Sequence, residues 1–233
     1  PTKTVPKSRE FAVALDLYQG RKYQEAMAAF LRIKNSNAPA AGPEIAALAA
    51  FYEMECLRKS GDLKRLGKTL ENFKGSTSLD ETHLHQLEID RLWDAVRAMD
   101  WNRVNAIAKT LDSRPLSADQ RAQVAFCRGL ALESDDDTTE ALTACNIAMT
   151  ADAGASEEVA RQAALHVLMI HRADPEVRAA MDEWGSSAAN RDSPGFFRLK
   201  EAAAVAALFE LSLGAGTPLP AELGEFLKYR SPD

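Results

Sequence analysis

Residues 8–34 read SREFAVALDLYQGRKYQEAMAAFLRIK, and their apolar positions recur every three or four residues on either side of Gly20. That period is one face of an α-helix, so the stretch predicts a helix ending near Leu17 and Tyr18, a short turn at Gly20, and a second helix carrying Tyr23, Ala26, Phe30 and Ile33. A small residue such as Ala26 lets two helices approach, and a large one four residues on fills the gap on the same face. The same frame fits four later stretches: Leu63, Leu66, Leu70, Phe73; Trp101, Val104, Ala108, Leu111; Thr138, Ala141, Cys145, Ala148; and Asp174, Val177, Met181, Trp184. The anchors Ala26, Leu66, Val104, Ala141 and Val177 follow one another at 40, 38, 37 and 36 residues, each interval one helical pair with its turns. Twelve residues before each anchor stand Ala14, Met54, Leu92, Gly129 and Leu165, and three residues after these come Leu17, Leu57, Ala95, Leu132 and Leu168. Each first helix thus brings its own stripe to its own hairpin.

The rest of the chain agrees with an all-α reading. No stretch alternates apolar and polar residues for long enough to suggest a half-buried strand, and breakers such as Gly61, Pro115, Gly185 and Gly216 delimit segments of about 10 to 20 residues, the length of ordinary helices. Roughly twelve helices are expected. Ser8, Asp80, Ser117, Ser156 and the Asp174-Pro175 pair sit where first turns need side-chain caps. Residues 1–7 read as a linker, 8–189 as the repeated hairpins in one continuous array, and 190–233 as closing helices and tail, with one helix over Phe196 to Leu213 and a short one near Leu219 to Lys228.

The Tyr-x2-Ala-x3-Phe spacing of Tyr23, Ala26 and Phe30 resembles the second-helix signature of tetratricopeptide repeats. The likeness covers about residues 8–189 and implies an α-solenoid of about five degenerate helical hairpins with C-terminal capping helices. It departs from the family in period, which is about 34 residues there, and in lacking the Trp, Leu-Gly and Tyr pattern of the first helix. Other helical-hairpin arrays with periods nearer forty residues leave the same marks. Such scaffolds bind protein or peptide partners, so the resemblance implies a non-catalytic interaction module whose partner and pathway it does not name.

Composition narrows the partner classes. Against 28 Lys and Arg stand 34 Asp and Glu, a net charge of −6, where nucleic-acid binders carry a basic footprint. The longest uninterrupted apolar run, Ala202 to Phe209, is far shorter than a membrane-spanning helix. No charged start followed by an apolar stretch marks a secretory leader, which leaves the compartment open between cytoplasm and, after removal of a leader, periplasm or exterior. The cysteines Cys56, Cys127 and Cys145 lie in apolar helical patterns and read as small core residues.

Catalytic motifs are missing: there is no glycine-rich phosphate loop, CxxC, HExxH or GxSxG. Glu81, His85 and Glu88 share a helix face and form the remote alternative, a metal-dependent enzyme, although zinc wants three or four ligands. The Asp135-Asp136-Asp137 run lacks the spacing of a calcium loop and reads as a turn and helix cap. No metal or other cofactor is expected. The candidate partner-binding residues are instead those of first helices outside the hairpin contact: Phe11, Tyr18, Phe51, Arg58, Lys59, Ile89, Trp93, Arg97 and Phe126. On a concave face they would form an apolar groove flanked by cations for an acidic peptide; otherwise curvature or a neighbouring repeat buries the stripe. The alternative function is a structural subunit of a homo- or hetero-oligomeric assembly, because a last helix that is apolar nearly all round should be covered on both sides.

Overall fold

The computed structural model describes residues 9–35, 42–73, 76–151 and 157–230. Residues 1–7, read as a linker, and the caps expected at Ser8 and Ser156 lie outside the described residues. The described chain is all-α, with no strand among the described residues, and divides into two compact units, Pro1–Leu116 and Ser117–Asp233. The division falls inside the stretch that the sequence pattern reads as one array, and the closing helices belong to the second unit together with the last two hairpins.

The first unit contains α1 (Arg9–Gln19), α2 (Tyr23–Lys34), α3 (Pro43–Lys59), α4 (Leu63–Asn72), a 3-10 turn at Ser76–Ser78, α5 (Glu81–Arg97) and α6 (Trp101–Asp112). The hairpin pairs α1 with α2, α3 with α4 and α5 with α6 are in contact, and α2 also packs on α3 and α4 on α5. Helix α3 is the centre of this unit, touching α1, α2, α4 and α5, which explains why it is apolar around most of its circumference. Phe11, Phe30 and Tyr52 form its aromatic core: the Phe11 and Phe30 rings meet edge to face at 5.6 Å, and Phe30 stacks on Tyr52 at 5.2 Å.

The second unit contains α7 (Ala118–Ser134), α8 (Thr138–Thr150), α9 (Glu157–Ala173), α10 (Pro175–Glu183), α11 (Pro194–Leu208) running into a π-helical turn at Phe209–Leu213, α12 (Ala221–Gly224) and a 3-10 turn at Glu225–Tyr229. Helix α7 packs closely on α8 because Gly129 has no side chain: a Cβ there would stand 2.8 Å from Cys145 Sγ and 3.3 Å from the Ala141 carbonyl. Helix α9 is the centre of this unit, in contact with α7, α8, α10, α11 and α12.

All five anchors, Ala26, Leu66, Val104, Ala141 and Val177, are fully buried, as are Ala14, Met54, Leu92, Ala95 and Leu168 from the first helices. Four of the hairpin turns share one geometry. Arg21, Gly61, Met99 and Asp136, each five residues before its anchor, have φ of 60°, 76°, 53° and 61°. The next amide then reaches back five residues to the first helix: Lys22 to Leu17 O at 3.0 Å, Asp62 to Leu57 O at 2.9 Å, Asp100 to Ala95 O at 3.0 Å and Asp137 to Leu132 O at 2.9 Å. This left-handed closure satisfies carbonyls that the helix end leaves over. In three turns the same residue then caps the second helix, Asp62, Asp100 and Asp137 accepting from the amides of Arg65, Arg103 and Glu140. The aspartate run is therefore turn and cap, as its composition suggests, and the turn flagged by Gly20 has its left-handed residue one position later.

The fifth hairpin turns differently. Asp174 takes an extended ψ of 120° ahead of Pro175, accepts from the Glu176 amide at 2.8 Å, and needs no left-handed residue, so this interval is the shortest. Asp80 and Ser117 cap α5 and α7, the latter in a reciprocal box with Gln120.

Candidate functional site

The first helices of the first unit, α1, α3 and α5, bring together a polar cluster inside an otherwise apolar contact. Glu55 and Arg58, one turn apart on α3, form a two-pronged pair, Arg58 Nε donating to Oε1 at 3.0 Å and Nη2 to Oε2 at 2.7 Å. From α1, the Tyr18 hydroxyl donates to Glu55 Oε2 at 3.0 Å. From α5, Asp90 Oδ1 stands 3.2 Å from Arg58 Nε and accepts from Gln86 Nε2 at 3.4 Å, while Asp90 Oδ2 is buried without a hydrogen bond.

Burial decides the charges here. Desolvation would raise the pKa of Glu55, but the Arg58 charge and its hydrogen bonds, helped by Lys59 and Tyr18, hold it below the ordinary carboxylate range. Asp90, which is 0% exposed, is pushed well above that range by its own desolvation and then by the charge of Glu55, with Arg58 opposing. Burial would lower the pKa of Arg58, yet Glu55 and Asp90 raise it. The cluster thus combines an ion pair, Glu55–Arg58, with a carboxyl, Asp90, whose burial favours its neutral form. Burial, followed by the nearby Glu55, also raises the Tyr18 phenol, which stays a donor.

The residues expected to line a groove divide sharply by exposure. Phe11, Phe51, Ile89 and Phe126 are buried inside their own units, at 1%, 4%, 0% and 6%. Phe51 packs edge to face against His83 at 4.6 Å, and Phe126 against His166 at 6.0 Å. Arg58 is engaged by Glu55 and Asp90 rather than offered outward, and Tyr18 is half-buried between Tyr23 and Tyr52. Lys59 and Trp93 are half-buried, and Arg97 is exposed, donating from Nη2 to Asp94 Oδ1 at 2.9 Å. Asp94 also receives Arg103 Nη1 at 3.3 Å, so one carboxylate fixes two guanidiniums at the α5–α6 end. Trp93 and Arg97 lie one helical turn apart.

Elsewhere in the first unit, α2, α3 and α4 line an open recess of about 620 Å³. Its lining includes Ala46, Ala47 and Ala50 together with Lys34, ion-paired to Glu53, and Lys68. Sequence spacing did not mark it, since small alanines between lysines carry no pattern of their own. Nor did it mark Asp90, a charge in a helix that reads by default as solvent-facing.

The histidines form no common site. His83 Nδ1 pairs with Asp80 Oδ1 at 2.6 Å, and His166 Nε2 stands 2.7 Å from Glu133 Oε2 without a hydrogen bond to it. His85 is buried with its Nε2 3.8 Å from Glu81, while Glu88 turns to Arg91. His171 is fully buried, its two ring nitrogens without hydrogen bonds; desolvation lowers its pKa against the pull of Glu201 and Asp174. Among the described residues no group of three His, Cys, Asp or Glu could hold a metal ion, and no helix is long and apolar enough to cross a membrane. Compared with known protein families, curated proteins and solved structures, the chain gives no match.

Proposed function

We propose that this chain is a tetratricopeptide-like α-solenoid acting as a non-catalytic interaction scaffold that binds a protein or peptide segment. The observation that carries the reading is the repetition itself: four hairpins closed by the same left-handed turn five residues before a buried anchor. Arrays of this kind are preorganised, so a partner laid along them orders itself without ordering the scaffold. The binding residues in this reading are the exposed Arg97 with the half-buried Lys59 and Trp93, and the partner segment is acidic with apolar anchors. Trp and Arg are the residue types that most often dominate such contacts.

The test is selection from a random peptide display library with the full chain as bait, followed by affinity measurement on a recovered peptide. Acidic, apolar-anchored sequences are expected. The variant carrying Trp93→Ala and Arg97→Ala is expected to bind at least about tenfold more weakly, some 1.4 kcal/mol, with circular dichroism showing both proteins folded at the assay temperature. Recovery of no peptide, or equal affinity of both proteins, would sink the reading.

A further inference from the structure

One carboxylate of the first unit holds two guanidiniums that come from different helices. Asp94 of α5 accepts at Oδ1 from Arg97 Nε at 3.3 Å and Nη2 at 2.9 Å, and at Oδ2 from Nη1 of Arg103, on α6, at 3.3 Å. The Asp94 side chain is 14% exposed, whereas those of Arg97 and Arg103 are 41% and 44% exposed. Asp94 can sit this deep because α4 meets it with a glycine: a Cβ on Gly67 would stand 2.4 Å from Asp94 Oδ1. The two cations are thus tied together on their buried side and open to solvent on the other.

The fold does not ask for this arrangement. Exposed ion pairs contribute little to stability, and the other hairpins that share the left-handed closing turn do without it. Counted from the buried anchors, Glu25 and Glu140 hold the place of Arg103 in the first and fourth hairpins. The second has Arg65 there, but Cys56 holds the place of Asp94. Only the third hairpin brings the carboxylate and both arginines together.

We propose that Arg97 and Arg103 form a binding site for a phosphoryl group carried on a side chain of the partner segment, an inference that rests on the scaffold reading above. Asp94 cancels one of the two positive charges and leaves the other for a ligand. It also leaves donors: the Nε–Nη2 edge of Arg103 and Nη1 of Arg97 have no acceptor among the described residues. A carboxylate has two oxygens, and the fork of Arg103 alone satisfies both. A phosphoryl group has a third oxygen for Arg97 and a larger negative charge. Guanidiniums already held in place lose little freedom on binding. The surrounding charges do not oppose an anion. Arg103 lies in the first turn of α6, the positive end of that helix, and Asp100 is occupied in capping it, accepting from the Arg103 amide at 3.1 Å. On α4, Lys64 and Glu71 stand one turn to either side of Gly67 and cancel.

The test offers the full chain one random synthetic peptide library in three forms, with phosphoserine, glutamate or serine fixed at the centre. Enrichment from the phosphoserine form is expected, and a recovered phosphopeptide is expected to bind at least about tenfold more tightly than its glutamate counterpart. Arg103→Lys keeps the charge and removes the fork, at an exposed position where circular dichroism should show an unchanged fold. It is expected to lose the preference for phosphoserine over glutamate while binding the glutamate peptide as the parent does. Inorganic phosphate is the second probe: it is expected to shift the side-chain Nε–H signals of Arg97 and Arg103 in nuclear magnetic resonance spectra, where acetate at equal concentration does not. Equal recovery from the phosphoserine and glutamate forms, or a preference that survives Arg103→Lys, would overturn this inference and leave the scaffold reading standing. Recovery of no peptide from any form would overturn both. Shifts with inorganic phosphate but no phosphopeptide preference would give the site to free phosphate and overturn its assignment to the partner.

Discussion

Asp90 has one carboxylate oxygen with no partner and a neighbour, Glu55, already ionised. A carboxyl whose proton is held more tightly in the folded than in the unfolded chain favours folding at low pH. That contribution is complete below the ordinary aspartate range and is lost as pH rises through the elevated value of Asp90. Glu55 works the other way: its lowered pKa favours folding above the ordinary glutamate range, and the gain disappears on acidification. Asp90→Asn keeps the size and removes the proton equilibrium. We expect its thermal midpoint to lose the part of the parent's decline that accompanies a pH rise above the ordinary aspartate range, while keeping the acid-side decline set by Glu55, measured by scanning calorimetry across pH. Identical pH profiles of the two proteins would show that Asp90 shares no titration with folding.

At the scale of helices and turns, three of the four left-handed turn positions are occupied by residues with a side chain, Arg21, Met99 and Asp136, and only Gly61 is free of the clash that conformation imposes. Met99 is 71% exposed, so its side chain gains little from packing. Met99→Gly should relieve about 1 kcal/mol of backbone strain, and Gly61→Ala should cost a similar amount, both read from urea unfolding midpoints. The turns also mark where sequence stops being legible. Anchors such as Leu66 and Val104 are readable because burial on a helix leaves a period. A left-handed arginine or methionine leaves none, since the geometry is imposed by the two helices it joins. The stripe of Phe11, Phe51, Ile89 and Phe126 was visible for the same reason as the anchors, but periodicity cannot say whether a second apolar face meets solvent or another helix. Contact of α3 with α1, α2, α4 and α5 in the first unit, and of α7 with α8 and α9 in the second, answers that, and it is a tertiary fact. Asp90 and Glu55 were hidden by the opposite default, that charges face water.

For the molecule as a whole, the net charge of −6 makes the folded chain repel itself. The screening length falls from about 30 Å at 0.01 M salt to about 8 Å at 0.15 M. The thermal midpoint should therefore rise over that range, seen by scanning calorimetry. A fall with salt would mean that ion pairs such as those of Arg161 with Glu157 and Glu158 outweigh the net repulsion.

The constant distance from left-handed residue to anchor has a consequence for how this chain can vary. Anchor intervals of 40, 38 and 37 residues must take up their differences elsewhere, because the first four turns have the same internal length, and only the interval of 36 ends at the different fifth turn. Each of the first four hairpins is therefore a cassette with a fixed hinge, and insertions and deletions belong to the joints between cassettes. Exchanging residues 95–104 with 132–141 swaps one hinge for another of equal length, Ala95 to Val104 for Leu132 to Ala141, and leaves the phase of both flanking helices unchanged. Adding one residue inside either hinge would turn the second helix by a little over a quarter of a revolution and carry its anchor out of the core.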